Sequence, residues 1–276
     1  MIKLIIDCTA EITEEDANKL GIISIPMVVT FGDTEYLSGR DLTNEKFYEL
    51  LKNCKELPHT SQINESKYLE VIEPILNNGD EVFVMCLSSE LSGTFNSLKQ
   101  AYTTLNSTHL EIFDTETTTF AYKALVYEAI KEIEKGTTLK DLKSKLENLK
   151  SKLRILAVID NVKYLIKGGR LSHAKGFIVE ALNIKPIVTI QDKVVKVIGK
   201  GIGYNMSKKG LLKFINNVDY SMPMYYAHSN DLERAEDFKN TLEQKLNFNF
   251  KEICEIGPII GTHVGPGCVG VVYFEK

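Results

Sequence analysis

Alternating apolar runs and amphipathic segments divide the first half of the chain into strand–helix units. Short apolar runs bounded by turn residues predict buried strands at residues 4–6, 22–31, 82–87 and 110–113. Apolar positions three and four residues apart predict helices after residues 13 and 43, over 66–79, from 95, and over 120–135 and 139–152. The repeated strand–helix alternation predicts an α/β domain with a mostly parallel sheet.

The pattern changes after the polar helix that ends near Lys152. Strands are predicted at residues 155–159, 222–228, 250–256 and 269–274, with an antiparallel hairpin over 187–190 and 194–198. Helices are predicted over about 205–217 and 231–246, and the glycine-rich stretch 257–267 is predicted as a loop. We therefore place an N-terminal α/β domain at 1–152 and a C-terminal α/β domain with a mixed sheet at 153–276.

A hydroxyl-rich stretch, Leu87–Ser97, joins one predicted buried strand to the helix that follows it. In an open parallel sheet, the junction at the carboxyl end of a strand is where ligands bind. Ser92 and Thr94 can cap the helix, and the first free N–H groups of a helix can hold an anion. Plain helix capping is an equally good interpretation of the same residues.

Composition and charge narrow the class of protein. The 276 residues are 43% hydrophobic and 25% charged, as in ordinary soluble globular proteins, and the net charge of −4 argues against nucleic-acid binding. No apolar stretch approaches the roughly 20 residues that cross a bilayer. Five cysteines without a CxxC pair favour a cytoplasmic protein with free thiols, and five histidines without ligand spacing predict no metal site.

Most of the other motifs in the chain do not indicate a functional site. Gly265–Gly270 spells GxGxxG, but a predicted strand follows it where a dinucleotide site needs a helix. The chain has neither a Walker A sequence nor a GxSxG elbow. Ser92 and His263 stay open as a nucleophile and base. Lys167 and Arg170 flank a Gly-Gly pair, which fits a helix C-cap or a phosphate or partner contact equally well.

Taken together, five segments of the chain resemble the DegV family of bacterial fatty-acid-binding proteins. They are residues 60–62, 88–97, 164–172, 183–186 and 256–267. Their order and spacing extend over nearly the whole chain, so the resemblance is far more specific than any single motif. It implies a two-domain DegV-like α/β fold with a long-chain fatty acid, such as palmitate, bound between or beside the domains.

The resemblance also implies roles for particular residues. It implies that Thr60 and Ser92 hold the carboxylate, with His263 nearby. The candidate binding residues are therefore Thr60, Ser61, Ser92, Gly93, Thr94 and His263. No catalytic residue is assigned, and no cofactor is expected besides the bound fatty acid.

The resemblance further implies that the protein is a carrier and not an enzyme. Such a carrier is expected to present the bound fatty acid to a separate fatty acid kinase, which makes an acyl phosphate for phospholipid synthesis. We expect Arg170 and Lys167 to serve that transfer or contact the kinase. The alternatives are a Ser-dependent acyl hydrolase that uses Ser92 and His263, and a binding module for another carboxylate.

The chain differs from the family pattern at three places. Asn64 stands where a serine often follows the Thr-Ser-Gln segment, and Thr117–Thr119 replaces small and glycine residues. Gly201 stands where an arginine is frequent. The first two differences bear on chain-length preference, and the third bears on kinase docking.

Overall fold

The computed structural model describes residues 1–171, 183–246 and 251–276, with Lys251 described by its backbone alone. Contacts divide the chain into a first unit, Met1–Leu42 with Thr60–Ser151, and a second unit, Thr43–His59 with Lys152–Lys276. The units do not follow a single cut at residue 152, because the segment Thr43–His59 is grouped with the second unit.

Strand and helix alternate up to residue 152, as the sequence pattern predicts. The strands are β1 (Ile2–Asp7), β2 (Ile23–Ile25), β3 (Val28–Phe31), β4 (Thr34–Leu37), β5 (His59–Ser61), β6 (Glu81–Cys86) and β7 (Leu110–Asp114). The helices are α1 (Glu14–Lys19), α2 (Asn44–Asn53), α3 (Glu65–Asn77), α4 (Thr94–Leu105), α5 (Thr119–Glu134) and α6 (Leu139–Lys152).

The main sheet of the first unit has four strands in the order β2-β1-β6-β7, and all neighbouring pairs are parallel. Residues 82–86 of β6 are all fully buried, as expected for a strand covered by helices on both faces. The order reverses between β1 and β6, because the chain builds outward on one side to β2 and on the other to β7. That reversal is a topological switch point, where such sheets bind ligands.

Helix caps in the first part of the chain follow the sequence. Thr13 accepts a hydrogen bond from the Asp16 amide at 3.1 Å and starts α1. Asn64 does the same for the Lys67 amide at 2.9 Å and starts α3. Asn64 therefore has a local structural role as the N-cap of α3, a role that serine would fill equally well.

After residue 152 the elements build a mixed sheet, which confirms the predicted fold class. They are β8 (Leu153–Val158), α7 (Lys163–Lys167), β9 (Ile184–Gln191), β10 (Val194–Ile202), α8 (Gly203–Leu211), β11 (Met224–His228), α9 (Leu232–Glu243), β12 (Lys251–Glu255), α10 (Pro258–Val264) and β13 (Val269–Phe274). The sheet order is β10-β9-β8-β13-β11-β12, and of these pairs β11–β12 alone is parallel.

The β9–β10 hairpin confirms the antiparallel pair predicted from the sequence. Its two loop residues, Asp192 and Lys193, have φ values of 51° and 68°. Positive φ at both central residues matches the twist of a two-residue hairpin, even without glycine. Behind this sheet lies an apolar core that includes Tyr226, Phe238 and Tyr273.

The prediction of a loop over residues 257–267 is wrong. Pro258–Val264 is a helix, α10, with Pro258 in its first turn and Gly257 as N-cap. Proline suits this position because the first helical N–H has no intrahelical partner anyway. Ile259 and Ile260 are buried and contribute apolar packing, which outweighs the low helix propensity of Gly261.

Candidate functional site

The hydroxyl-rich stretch connects β6 to α4 at the carboxyl edge of the parallel sheet. It begins at Leu87, whose amide donates to Asp7 Oδ2 at 2.9 Å. Asp7 is the last residue of β1, so this bond joins the two strands on either side of the switch point. The predicted strand–helix junction is therefore confirmed, and the sheet order places it at the edge where parallel sheets of this kind bind ligands.

Asp7 is a structural anchor that the sequence pattern did not identify. Its carboxylate accepts from the Thr9 amide at 3.0 Å, from the Thr9 hydroxyl, and from Leu87. The carboxyl group is fully buried, and this burial raises its pKa against the lowering effect of those hydrogen bonds. A buried aspartate after a strand gives no sequence signal of its own, because one of its partners, Leu87, is 80 residues away in the chain.

Buried thiols and phenols surround this anchor. Burial raises the pKa of the Cys86 thiol and of the Tyr68 hydroxyl, and the charge of Asp7 adds to both shifts. A thiol with a raised pKa stays protonated, and the protonated form is a poor nucleophile. These groups thus fit a structural role and not thiol chemistry.

The Ser92 hydroxyl lies at the end of a short hydrogen-bond chain. The Ile63 amide donates to Thr94 Oγ1 at 3.3 Å, and Thr94 Oγ1 lies 2.9 Å from Ser92 Oγ. Ser92 Oγ also accepts from the Thr94 amide at 3.2 Å. Thr94 is fully buried while Ser92 is partly exposed, so Thr94 supports Ser92 from below.

Gly93 is the N-cap of α4. The N-cap is therefore neither Ser92 nor Thr94, the two residues that the sequence offers for this position. Its φ of −66° needs no glycine, but a Cβ there would lie 1.9 Å from Gln62 Oε1. The Gln62 side chain crosses the glycine and donates to Ser97 Oγ at 3.0 Å. Thr60 and Ser61 end β5 directly before Gln62, so this packing brings the Thr-Ser-Gln segment to the start of α4.

A second group of candidate residues meets in the second unit. A Cβ on Gly168 would lie 2.4 Å from His263 Nδ1, so the imidazole packs directly over this glycine. Burial, and to a lesser extent the charge of the nearby Arg170, lower the pKa of His263 to about 4. His263 is therefore neutral at pH 7, where it can exchange hydrogen bonds but is a weak base.

Arg170 follows the turn that ends α7, and it has a local partner. Its guanidinium donates to the Gly168 carbonyl, and burial lowers its pKa. Gly168 is the C-cap of α7 and Gly169 has φ of +71°, so the helix C-cap interpretation of this segment is confirmed. Lys167 is exposed on the last turn of α7, and Ser172 lies outside the described residues.

The described residues contain neither a cluster of metal ligands nor a membrane-spanning helix. No group of three or more His, Cys, Asp or Glu side chains there could hold a metal ion. Likewise, no helix in the described parts of the chain is long and apolar enough to cross a membrane.

Similarity to known proteins extends over the full chain. A DegV domain-containing protein of Caldanaerobacter subterraneus subsp. tengcongensis is 29% identical over 278 residues, which cover 100% of this chain and 99% of that one. One from Staphylococcus aureus strain N315 is 27% identical over 277 residues, which cover 99% and 98%.

Solved structures agree with these relatives. The crystal structure of DegV from Bacillus subtilis, described as a fatty acid binding protein, is 29% identical and superposes with a TM-score of 0.86 over 100% of this chain and 99% of that one. A fatty acid binding DegV family protein from Streptococcus agalactiae has the same fold, with a TM-score of 0.91 at 23% identity over 100% and 99% of the two chains. The family model described as an uncharacterised protein of the DegV family matches residues 1–276, and the chain therefore belongs to the DegV family.

Proposed function

We propose that this protein binds a long-chain fatty acid and that the Ser92 hydroxyl donates a hydrogen bond to its carboxylate. The observation that carries the proposal is the hydrogen-bond chain from Ile63 through Thr94 to Ser92. The Bacillus subtilis relative, 29% identical over the full chain, is described as fatty acid binding, and this supports the ligand class.

Counting hydrogens explains why Ser92 is suited to an anion. A hydroxyl has one hydrogen to donate and two lone pairs to accept with. Ser92 Oγ accepts from the Thr94 amide, and it accepts from the Thr94 hydroxyl when that group points its hydrogen at Ser92. Both lone pairs are then used, and the remaining capacity of Ser92 is a donor. A carboxylate, which only accepts, is the matching ligand group.

Thr60, Ser61 and Gly93 are assigned to the same proposed carboxylate site, because Gln62, which follows Ser61 in the chain, packs against Gly93. The acyl tail supplies most of the affinity, since about 0.8 kcal/mol per buried CH₂ gives roughly 10 kcal/mol for palmitate before the costs of binding. One hydrogen bond to a charged group adds about 1.5–3 kcal/mol. Neutral donors also avoid a buried ion pair, whose desolvation cancels much of its attraction.

The carrier role has a second part, the presentation of the bound acid to a fatty acid kinase. Arg170 and Lys167 support it, because they place two cations at the end of α7 beside the left-handed Gly169. Arginine forms paired hydrogen bonds with phosphate or carboxylate groups, which suits an acyl phosphate or an acidic protein surface. His263, held neutral by burial and by Arg170, adds no competing charge.

Lipid extraction tests the ligand. Protein purified from bacteria should release a long-chain fatty acid that mass spectrometry identifies, and the delipidated protein should bind added palmitate or oleate. Absence of both would overturn the carrier function. Release of nitrophenol from nitrophenyl esters at a rate that drops in Ser92→Ala would instead establish the hydrolase alternative.

A transfer assay tests the kinase part separately. Arg170→Ala and Lys167→Ala should keep near-normal palmitate affinity but lose most acyl-phosphate formation with a bacterial fatty acid kinase and ATP. Lys163→Ala is the control, because it removes a cation from the same helix. Normal transfer by the Arg170 and Lys167 variants, with a lowered melting temperature for Arg170→Ala, would leave Arg170 only its structural bond to Gly168.

A further inference from the structure

We propose that the first unit contains a second polar subsite, at the start of α5, which binds a neutral oxygen atom on the acyl chain. The ligand class would then be an oxygenated fatty acid, one with a hydroxyl or keto group along its chain. The inference rests on the proposed fatty-acid function and adds a substituent to the ligand. Thr117 and Thr118 form the subsite.

The side-chain oxygens of Thr117 and Thr118 are both buried, and neither has a hydrogen-bond partner among the residues that the structure describes. Each residue is only 6% exposed. A buried hydroxyl without a partner is unfavourable, and native proteins rarely leave two of them side by side. Two adjacent hydroxyls of this kind therefore indicate a partner that comes from outside the chain.

The same residues stand at a helix N-terminus. Thr118 is the N-cap of α5, a helix of 16 residues, yet its side chain makes no capping hydrogen bond. The first turn of α5 has no acidic residue that would occupy the free amides in place of a ligand. Thr119 has φ of +55°, a strained conformation for a β-branched residue.

Hydrogen bonds from neighbouring loops hold this segment in place, but they do not involve the hydroxyls of Thr117 and Thr118. The Thr115 hydroxyl donates to the Cys86 carbonyl at 2.8 Å, and the Ser88 amide donates to the Thr117 carbonyl at 2.9 Å. The Ser92 amide donates in turn to the Ser88 carbonyl at 3.3 Å. Two backbone hydrogen bonds thus connect the subsite with the proposed carboxylate site, so the two lie in neighbouring loops of the first unit.

The surroundings favour a neutral oxygen over an anion. Asp7 is fully buried after β1, and Asp114, 9% exposed, ends the strand that leads into the subsite. Lys150 lies close to Asp114 but is already engaged with the Asp114 carbonyl and Glu116. A second buried anion here would meet like charges and lose its hydration, whereas a hydroxyl or keto oxygen avoids both effects.

Two double variants of the same residues test the subsite. Thr117→Val with Thr118→Val keeps the side-chain shape and removes the hydroxyls, whereas Thr117→Ser with Thr118→Ser keeps the hydroxyls. Delipidated protein is titrated with palmitate and with hydroxypalmitates whose hydroxyl is placed at successive positions along the chain. For the wild-type protein, at least one hydroxypalmitate should bind about tenfold more tightly than palmitate. The serine variant should keep this preference, and the valine variant should lose it.

Thermal melting of the ligand-free proteins gives an independent readout. The valine variant should melt at the same temperature as the wild type or higher, because it breaks no hydrogen bond within the protein. A lower melting temperature in the valine variant alone would overturn the proposal, because it would reveal a partner within the chain. Palmitate binding without preference for any hydroxypalmitate, or a preference that survives in the valine variant, would overturn the subsite but not the fatty-acid function. Failure to bind palmitate and every hydroxypalmitate would overturn both.

Discussion

Two turns in different units use glycine in the same way but surround it with different chemistry. In the first unit, Gly93 lies under the Gln62 side chain, and the groups around it are hydroxyls and amides. In the second unit, Gly168 lies under His263, beside the guanidinium of Arg170. The first arrangement offers neutral donors to an anion, whereas the second keeps a cation next to an imidazole that burial holds neutral. The residues proposed to bind the carboxylate and those proposed to serve acyl transfer therefore stand in different chemical environments.

The largest expected effect comes from the glycine after α10. Gly265 has φ of +69°, and a Cβ there would lie 2.2 Å from the Tyr164 ring. Gly265→Ala should lower the free energy of unfolding by about 3 kcal/mol, because it combines backbone strain with overpacking. Urea unfolding measures this.

The matched control is Gly169→Ala in the same unit. Gly169 has φ of +71°, but no atom of the described part of the chain lies within 4 Å of its Cβ position, so only the backbone strain of about 1 kcal/mol remains. Equal losses in the two variants would show that Tyr164 does not constrain the α10 turn.

The next effect is a pH dependence of stability. The pKa of His263 is about 4 in the folded protein, below its ordinary value of 6.5, so the unfolded chain binds more protons between these limits. The free energy of unfolding should therefore fall as pH drops from about 6.5 to 4, by up to about 1.4 kcal/mol per pH unit from this residue. Comparing wild type with His263→Gln in urea across that range isolates the contribution.

Arg170→Gln sharpens this result. Removal of the guanidinium charge should raise the pKa of His263 towards 6.5, although burial, the larger cause, keeps it below that value. NMR titration of the imidazole measures the change. An unchanged pKa would show that the charge of Arg170 does not act on His263. The second turn would then lack the cation–imidazole interaction that distinguishes it from the first.

The smallest effect concerns the glycine of the first unit. Gly93→Ala should displace Gln62 and break its hydrogen bond to Ser97, at a cost of about 1 kcal/mol. In the double variant with Gln62→Ala, the alanine at 93 should cost nothing further, so the two losses are not additive. Additive losses measured by urea unfolding would mean that the Gly93 position is constrained by something other than Gln62.

Most of the fold could be predicted from the sequence, because the spacing of apolar residues in strands and helices and the choice of cap residues depend on neighbours close in the chain. The parallel sheet, the hairpin near Asp192 and the Thr13 cap all belong to this class. The roles of Asp7 and Gly201 could not be predicted, since each depends on a partner fixed by tertiary structure. A Cβ at Gly201 would lie 2.5 Å from the Ser207 amide, so the close backbone approach leaves no room for a side chain at this position.

Some features of the candidate site are likewise visible in the sequence, whereas others depend on tertiary structure. The hydroxyl stretch is visible in the sequence because it joins a strand to a helix. The hydrogen-bond chain from Ile63 to Ser92 is not visible, since it joins residues about 30 positions apart. The helix around His263 was missed because four glycines within 257–267 mask its apolar packing residues.

The most direct measurement is a palmitate titration of delipidated wild-type protein, Ser92→Ala and Ser89→Ala. Ser89 lies in the same loop as Ser92 and is likewise partly exposed, so its variant controls for the loss of a serine there. Ser92→Ala should raise the dissociation constant about ten- to a hundredfold, because one charge-assisted hydrogen bond of about 1.5–3 kcal/mol is lost. Ser89→Ala should leave the dissociation constant unchanged. An unchanged constant for Ser92→Ala would contradict the account and leave Ser92 a structural residue at the start of α4.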